Sequence, residues 1–576
     1  MGCSGWRLSR MVKVFQPIDA TTLRALVGEL RGALVPSRFE KAQQSDGHTL
    51  QLALRHLGGL QWLELSWMAE APRLLAIPPP PRQGEGSTLA RQVQHGLRGL
   101  ALVAVGQQGW ERVVTLDFAP RPGEPVQRQL VLELMGRHSN LFLLHAQGEV
   151  IALGRQVRAE QSRWRPIGTG DLYSPPPPLR GEPPRAEESF ERWQRRLMAL
   201  PQTLSEALME AYQGVSPTLV RQLLEAPSPG EAPLHPQQPV RELTAEQWDQ
   251  LWQRWQQWLQ AVEGERFALS RTALGEVRCW PEPAAADHPA IPLAIHGALA
   301  GLSQSWLAAR QLNQRRQTLL HRLGALRQRE ARLLDDQQAL LEAAAGSEAL
   351  QRQADGLLSQ YPPDKEHIQQ AQVLYKRARK LRRSVAAITP RLEAHQQRLA
   401  WLEEALVYAD QADQADQLAA LEDDLHQVEP KARGGSVRRA QPRRRADGER
   451  GAPQPLELLS PSGLCLQVGR NHRQNDWISL RQARRGDLWF HAQEMPGSHV
   501  VLKASAGQAV EADLKAAADL AAHFSRGRGN AKVPVVMVPT EGLQRLPGSA
   551  PGTVRHRGGE ILWGQPEQAR QLLGGS

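Results

Sequence analysis

Cysteine is nearly absent. The 576 residues hold three, Cys3, Cys279 and Cys465, far apart and in no CxxC pair or Cys/His cluster. That excludes a cysteine-built zinc site and, with an odd count in so long a chain, a disulfide framework; a reducing compartment is expected. Long apolar runs are missing too. No stretch reaches the roughly 18 to 20 apolar residues needed to cross a bilayer, and the basic segment 1–15 lacks the apolar centre of a signal peptide. Its Met-Gly-Cys-Ser opening is like a myristoylation site, but Trp6 stands where that motif wants Ser or Thr. Met11 is the expected start, and the cytoplasm the expected location, with no membrane partner.

Acid does not balance base: 70 Lys and Arg face 60 Asp and Glu, a formal net charge of +10. An Arg excess favours polyanionic partners, nucleic acid first. With 41% hydrophobic and 23% charged residues the composition is that of globular protein, and the length demands three or more domains.

The pattern along the chain predicts a multidomain α+β protein. Asp19 caps a helix with Leu23, Leu26, Val27 and Leu30 on one face. Alternating strands at 48–54 and 63–67 flank a Gly58-Gly59 turn, and four prolines, 78–81, close the region. A short helix at 87–97 leads to strands near 100–105, 113–118, 130–135 and 141–145, and this α+β domain, 11–185, ends by the prolines 175–178. Segment 186–300 reads as helical and Trp-rich, broken by a proline-rich linker at 227–239. Within it Gly214-Val215-Ser216-Pro217 joins two short helices; such a turn can hold a phosphate on its amides or be an ordinary connection.

Residues 301–427 carry heptads. Leu312, Leu319, Leu326, Leu333 and Leu340 recur every seven residues, as do Val385, Leu392, Leu399 and Leu406, with Leu374, Leu381 and Ile388 at the second seam position. A 3.5-residue period keeps one seam facing a partner helix. Pro362-Pro363 between the arms predicts an antiparallel coiled-coil hairpin with its tip near Tyr361; parallel dimerisation is the second choice. Lys376, Arg377, Arg379, Lys380, Arg382 and Arg383 wrap the returning arm in positive charge with no acid among them, which points to phosphate contact. The Gly, Pro and Arg-rich stretch 428–456 is a basic tether. An α/β domain, 457–576, follows, with strands at 464–468, 488–490, 500–502 and 533–538 and an Ala-rich helix at 509–524.

Chemistry-bearing residues are few. Arg137-His138-Ser139-Asn140, after Gly136 at a strand exit, can meet phosphate, ribose and base edges, or simply make a turn. Glu111-Arg112 can read a base edge beside a Trp110 stacking face, or form an exposed strand-end pair. Asp487, His491 and His499 do not complete a metal-ligand set.

The run Glu133-Leu134-Met135-Gly136-Arg137-His138-Ser139-Asn140 closely resembles the N-domain signature of the NFACT family, also called the RqcH/NEMF family and long described as fibronectin-binding proteins. Gly469-Arg470-Asn471-His472-Arg473-Gln474-Asn475-Asp476, then Asp487-Leu488-Trp489-Phe490-His491 and Pro496-Gly497-Ser498-His499, resembles that family's C-terminal R domain. The domain order matches from Met11 onward. The resemblance implies an N domain like that of formamidopyrimidine glycosylases, a helix-hairpin-helix-like segment, the coiled-coil hairpin and an α/β R domain. It implies a factor of ribosome-associated quality control that is not itself an enzyme, with no cofactor, metal or catalytic residue. Such a factor binds obstructed 50S subunits carrying nascent peptidyl-tRNA, touching 23S rRNA and stalk-base proteins. It recruits alanyl-tRNA and directs untemplated C-terminal alanine tailing of stalled chains. The residues implied to face tRNA are Glu111, Arg112, Glu133, Met135, Gly136, Arg137, His138, Ser139 and Asn140. The implied R-domain motif comprises Asn471, Gln474, Asn475, Asp476, Asp487, Trp489, His491, Pro496, Gly497, Ser498 and His499. Three departures stand out: Glu111 replaces the family's Asp, His472 replaces an Asn, and the hairpin tip is short.

Two other readings compete. A surface fibronectin-binding adhesin is disfavoured by the lack of signal peptide, anchor and disulfides. A glycosylase-like nucleic-acid-binding protein is disfavoured because neither Gly2 nor Val12 supplies an N-terminal proline nucleophile, and three scattered cysteines make no zinc finger.

Overall fold

The computed structural model describes residues 15–82, 86–162, 165–225, 234–281, 292–359, 362, 364–428, 453–545 and 551–574. The expected hairpin tip at Tyr361, most of the basic tether, Cys3 and the Met11 start lie outside them. By contact the chain divides into two compact units, 1–309 and 310–576.

In the first unit, Asp19 caps helix α1 (Ala20–Leu34) by accepting the Thr22 N–H at 2.8 Å. A nine-stranded antiparallel sheet follows in the order β4-β3-β2-β1-β5-β6-β7-β8-β9. Its strands are β1 (Ser37–Asp46), β2 (Thr49–His56), β3 (Gly59–Ser66), β4 (Arg73–Ile77), β5 (Ala101–Gln107), β6 (Val113–Ala119), β7 (Arg128–Glu133), β8 (Asn140–His145) and β9 (Val150–Leu153), with helix α2 (Thr88–Gly96) between β4 and β5. The sequence pattern had not marked β1, β4 or β9. β1 is broken by register shifts between Phe39 and Lys41 and between Gln44 and Asp46, which destroys the alternation that period-2 reading needs.

Helices α3 (Phe190–Leu197), α4 (Leu204–Ala211), α5 (Pro217–Leu224) and α6 (Ala245–Glu263) bury Trp193, Trp248, Trp255, Trp258 and Trp280 in a second core. Hairpin β10–β11 (Ser270–Arg271, Val277–Arg278) then returns Val277 and Cys279 to the first core, joined there by Ile295 and Leu299 from the start of α7 (Ala294–Ala345). His296 is locked in: its Nδ1 accepts the Ala76 N–H at 2.9 Å and its Nε2 lies 3.1 Å from the Leu26 carbonyl. Those partners fix the Nε2–H tautomer, and burial lowers its pKa to about 4.

In the second unit α7 continues, α8 (Ser347–Leu358) follows, and α9 (Lys365–Gln411) and α10 (Ala415–Val428) return. Glu330 meets His395 at 2.7 Å, and Leu319 and Leu323 share a core with Trp401, Leu402 and Ala405, so the two arms run in opposite directions. The heptads of the first arm are unevenly used. Leu319 and Leu323 are buried, but Leu333 and Leu340 are 36% and 52% exposed. Two helices alone cover each seam residue on one side; near the base α10 adds Leu418, Leu421 and Leu425 as a further layer.

The C-terminal domain is a six-stranded antiparallel sheet, β12-β13-β15-β14-β16-β19. The strands are β12 (Leu456–Leu459), β13 (Cys465–Val468), β14 (Leu488–Ala492), β15 (Val500–Leu502), β16 (Val533–Pro539) and β19 (Glu560–Gly564). Helix α12 (Glu511–His523) packs Ala517, Leu520 and Ala521 on one face against Phe490, Val500 and Val535. The other face holds Trp489, Val501, Val536 and Val538 beneath Ile478, with Leu543 of β17 (Leu543–Arg545) and Val554 of β18 (Val554–His556) packed against it.

Candidate nucleic-acid interface

Two motifs far apart in sequence meet at one end of the first sheet. β6 pairs with β7 so that Val113 lies opposite Glu133, and the Leu134 N–H donates to the Arg112 carbonyl at 2.9 Å. Glu111-Arg112 therefore sits beside the 133–140 segment.

Within that segment the residues divide by role. Gly136 takes φ +57°, where a side chain is strained. The Ser139 hydroxyl accepts the Met135 N–H at 2.8 Å and closes the turn. Asn140 staples β8 to the following loop: its Nδ2 donates to the Arg155 carbonyl at 2.7 Å and its Oδ1 accepts the Arg155 N–H at 2.8 Å. Glu133, 1% exposed, takes a two-pronged Arg165 contact at 2.6 and 2.9 Å and the Tyr173 hydroxyl at 2.9 Å. Burial works against the Arg165 charge, but the Glu133 hydrogen bonds hold it protonated. Burial and the same carboxylate push the Tyr173 hydroxyl well up, so it stays a donor. Glu133, Ser139 and Asn140 are thus positioning residues. Arg137 and His138 are exposed, and Met135 before them is half-buried.

These residues border an open cleft of about 680 Å³, lined also by Phe142, Arg155, Gln161, Pro176 and Pro177. Arg137 and Arg155 are exposed at it, while Glu133, the acid in its lining, is neutralised by Arg165. The cleft is cationic as a result. Arg155, Arg165 and Tyr173 carry no motif of their own in the sequence; only the folded loop after β9 delivers them.

Glu111 accepts the Leu179 N–H at 3.2 Å, and burial raises its pKa, with that N–H and Arg112 opposing. Arg112 is exposed. The expectation of a free Trp110 stacking face is corrected. Trp110 packs against Trp258 at 5.5 Å, has the Arg24 guanidinium 4.8 Å above its ring, and fits so tightly that a Cβ on Gly214 would meet it at 2.9 Å. The Gly214–Pro217 turn is spent on packing as well: the Ser216 hydroxyl caps α5 through the Leu219 N–H and donates to Asp19 at 2.5 Å. A carboxylate there disfavours phosphate.

The R-domain motif is largely buried, and much of it grips α9. Asn471 caps a short helix (His472–Asp476) through the Gln474 N–H, while Gln474 accepts the Arg470 N–H. Asn475 Nδ2 donates to the Tyr408 hydroxyl at 2.7 Å and its Oδ1 accepts the His499 N–H at 3.1 Å. Gly497, following Pro496, accepts the Tyr408 hydroxyl at 3.0 Å and lies so near Ser525 that a Cβ would reach it at 2.9 Å. His472 stacks on Trp401 at 4.6 Å, with Glu404 3.1 Å away but not aligned as a hydrogen bond. Asp476 accepts the Gly552 N–H. Asp487 is spent on Ser505, Arg484 and Lys503; burial would raise its pKa, but these partners bring it below the usual range. His499 bonds Ser479 and is held neutral by burial. Trp489 stacks against half-buried His491 at 5.5 Å, and the Ser498 hydroxyl is buried without a hydrogen-bond partner among the described residues. The cations at 376–383 are all exposed on α9.

Comparison with known proteins fits this architecture. A family described as NFACT N-terminal and middle domains matches residues 19–363 and 360–439, and one described as NFACT protein RNA binding domain matches residues 457–558. The Rqc2 homolog RqcH of Streptococcus pneumoniae is 25% identical over 587 residues, 96% of this chain and 98% of its own. The protein of the same name from Bacillus subtilis is 22% identical over 588 residues, covering 95% and 98%. Among solved structures, the N-terminal part of a fibronectin/fibrinogen-binding protein from Streptococcus suis aligns at 18% identity with a TM-score of 0.38, covering 50% of this chain and 98% of that one.

Proposed function

The chain belongs to the NFACT family, and from that premise we propose that it acts in ribosome-associated quality control as an RNA-positioning factor rather than an enzyme. In this reading it works in the cytoplasm on an obstructed 50S subunit, against 23S rRNA and stalk-base proteins. There it holds tRNA, alanyl-tRNA by resemblance, so that the ribosome extends the stalled peptidyl-tRNA with alanine. The observation that carries the reading is that Glu111-Arg112 adjoins the 133–140 segment, whose exposed Arg137 and His138 line a cationic cleft, on a chain that also bears an RNA-binding domain. Arg137 and Arg155 offer charge to phosphates, and His138 a donor and a ring face. The six exposed cations of α9 add phosphate contacts along the arm.

The test is capture of the full-length protein from cells at low salt with sequencing of bound RNA. Enrichment of tRNA and large-subunit rRNA, falling steeply as salt rises, is expected. Recovery free of large-subunit particles and without tRNA preference would overturn the reading. Replacing Glu111 and Arg112 with Ala together should abolish alanine tailing in cells.

A further inference from the structure

The RNA-binding match ends at Gly558, yet the C-terminal sheet takes one more strand. β19 is an edge strand, and its Trp563 and Ile561 are 60% and 45% exposed. Exposure of this kind is unusual for Trp, which is highly buried on average. The register fixes where these side chains point. Trp563 pairs with Pro534 and Ile561 with Val536, and Val536 pairs with His491 on β14. Paired residues share a face, so Trp563 and Ile561 extend the face of Trp489 and His491, opposite α12. At the Trp489 end the β17–β18 hairpin lies over this face, with the His556 ring 5.8 Å from Trp489. Among the described strands none pairs with β19 on its other edge.

Charge decides what fits there. Lys532 is exposed beside Val533, which pairs with Gly564 one residue past Trp563. Arg555 and Arg557 flank His556 and are exposed; with Val554 and His556 turned to the sheet, they lie on the hairpin's outer face, and among the described residues neither guanidinium has an ion pair. Glu560 pairs with Met537, a residue of the α12-side core, and so faces the other way. A rigid aromatic platform with Lys532 beside it, and two more exposed cations on the outer face of the adjoining hairpin, can hold an unpaired nucleobase and the phosphates of the strand running on from it. A hydrophobic protein partner would not need the cations.

We propose that β19 is a stacking edge for single-stranded RNA, with Trp563 under a nucleobase, Ile561 against its neighbour, and Lys532, Arg555 and Arg557 on the backbone. The proposal rests on the RNA-directed reading above and adds a second contact place to it, in the other unit of the chain.

The test uses the full-length protein and a fluorescein-labelled decauridine, with a 5-iodouridine version for photocross-linking. Trp563→Ala should weaken binding at least about fivefold, the lower end of what one stacked base contributes, and Trp563→Phe should keep most of the affinity. Arg555→Ala with Arg557→Ala should flatten the salt dependence by about one unit of log–log slope. The cross-linked peptide should contain Trp563. Unchanged affinity in Trp563→Ala with cross-links elsewhere would overturn the proposal and leave the edge to a protein partner. If the wild type still captures tRNA and large subunits in that case, only this proposal falls; if it captures no RNA at all, the functional reading falls with it.

Discussion

Asn475 in the C-terminal domain donates a 2.7 Å hydrogen bond to the hydroxyl of Tyr408 on α9, across 67 positions of sequence. The same hydroxyl donates to the Gly497 carbonyl. Both partners lie within the stretch that matches the family's RNA-binding domain, so part of that stretch is consumed in fastening the sheet to the helical arm.

Tyr408→Phe removes the hydroxyl and strands a buried amide and a buried carbonyl. Leaving such groups unpaired costs about 1–3 kcal/mol each way they fail, so urea unfolding of the full chain should show a loss of about 2 kcal/mol. A midpoint equal to wild type would mean that the hydroxyl contributes nothing.

Glu133 and Arg137 should part company. Glu133→Ala leaves the Arg165 guanidinium, with its side chain 17% exposed, without its carboxylate, and breaking a buried pair costs roughly 3 kcal/mol or more. Arg137 is exposed, so Arg137→Ala should shift stability by less than about 0.5 kcal/mol. It should still lower tRNA retention in pull-downs. Equal stability losses for the two variants would refute the division between positioning and contacting residues.

His296 makes the first unit acid-sensitive. Its folded pKa, about 4, lies below the ordinary histidine value, so below about pH 6.5 the unfolded chain binds a proton that the fold refuses. Stability is full above that pH and is lost progressively as pH falls toward 4. Protonating Nδ1 would also cancel the Ala76 bond. A His296→Gln variant should show a shallower decline of the unfolding midpoint over this window, though less stability at pH 7; an identical slope would remove His296 from the explanation.

Leucines of one arm should not be equivalent. Leu323→Ala, at a buried position, should cost about 2–4 kcal/mol. Leu333→Ala, at a position more than a third exposed, should cost less than about 1 kcal/mol. Comparing the two by thermal unfolding checks whether α10 rather than the seam itself supplies the burial.

Much of the architecture was legible in the residues. Asp19 and its leucines gave α1, the alternation around Gly58-Gly59 gave β2 and β3, and the seven-residue spacing gave the long helical arms, because each is a local signal that needs no partner. The motif 133–140 was legible as a candidate site, since a Gly turn at a strand exit concentrates polar groups whatever surrounds it. β1 was not, its bulges having erased the alternation. Arg155, Arg165 and Tyr173 were not, because a loop residue shows its role only when the loop closes.

What the sequence determined by itself is therefore the inventory: the elements with a clean period, the basic character and the two signatures. Tertiary structure decided which side chains remain available. It buried Glu133 and Asn140, closed Trp110 under Gly214, left Leu333 a third exposed and put Trp563 on an open edge. The physical reason is that burial belongs to pairs of distant segments. Periodicity says which face of an element is apolar, but only the packed neighbour says whether that face is covered.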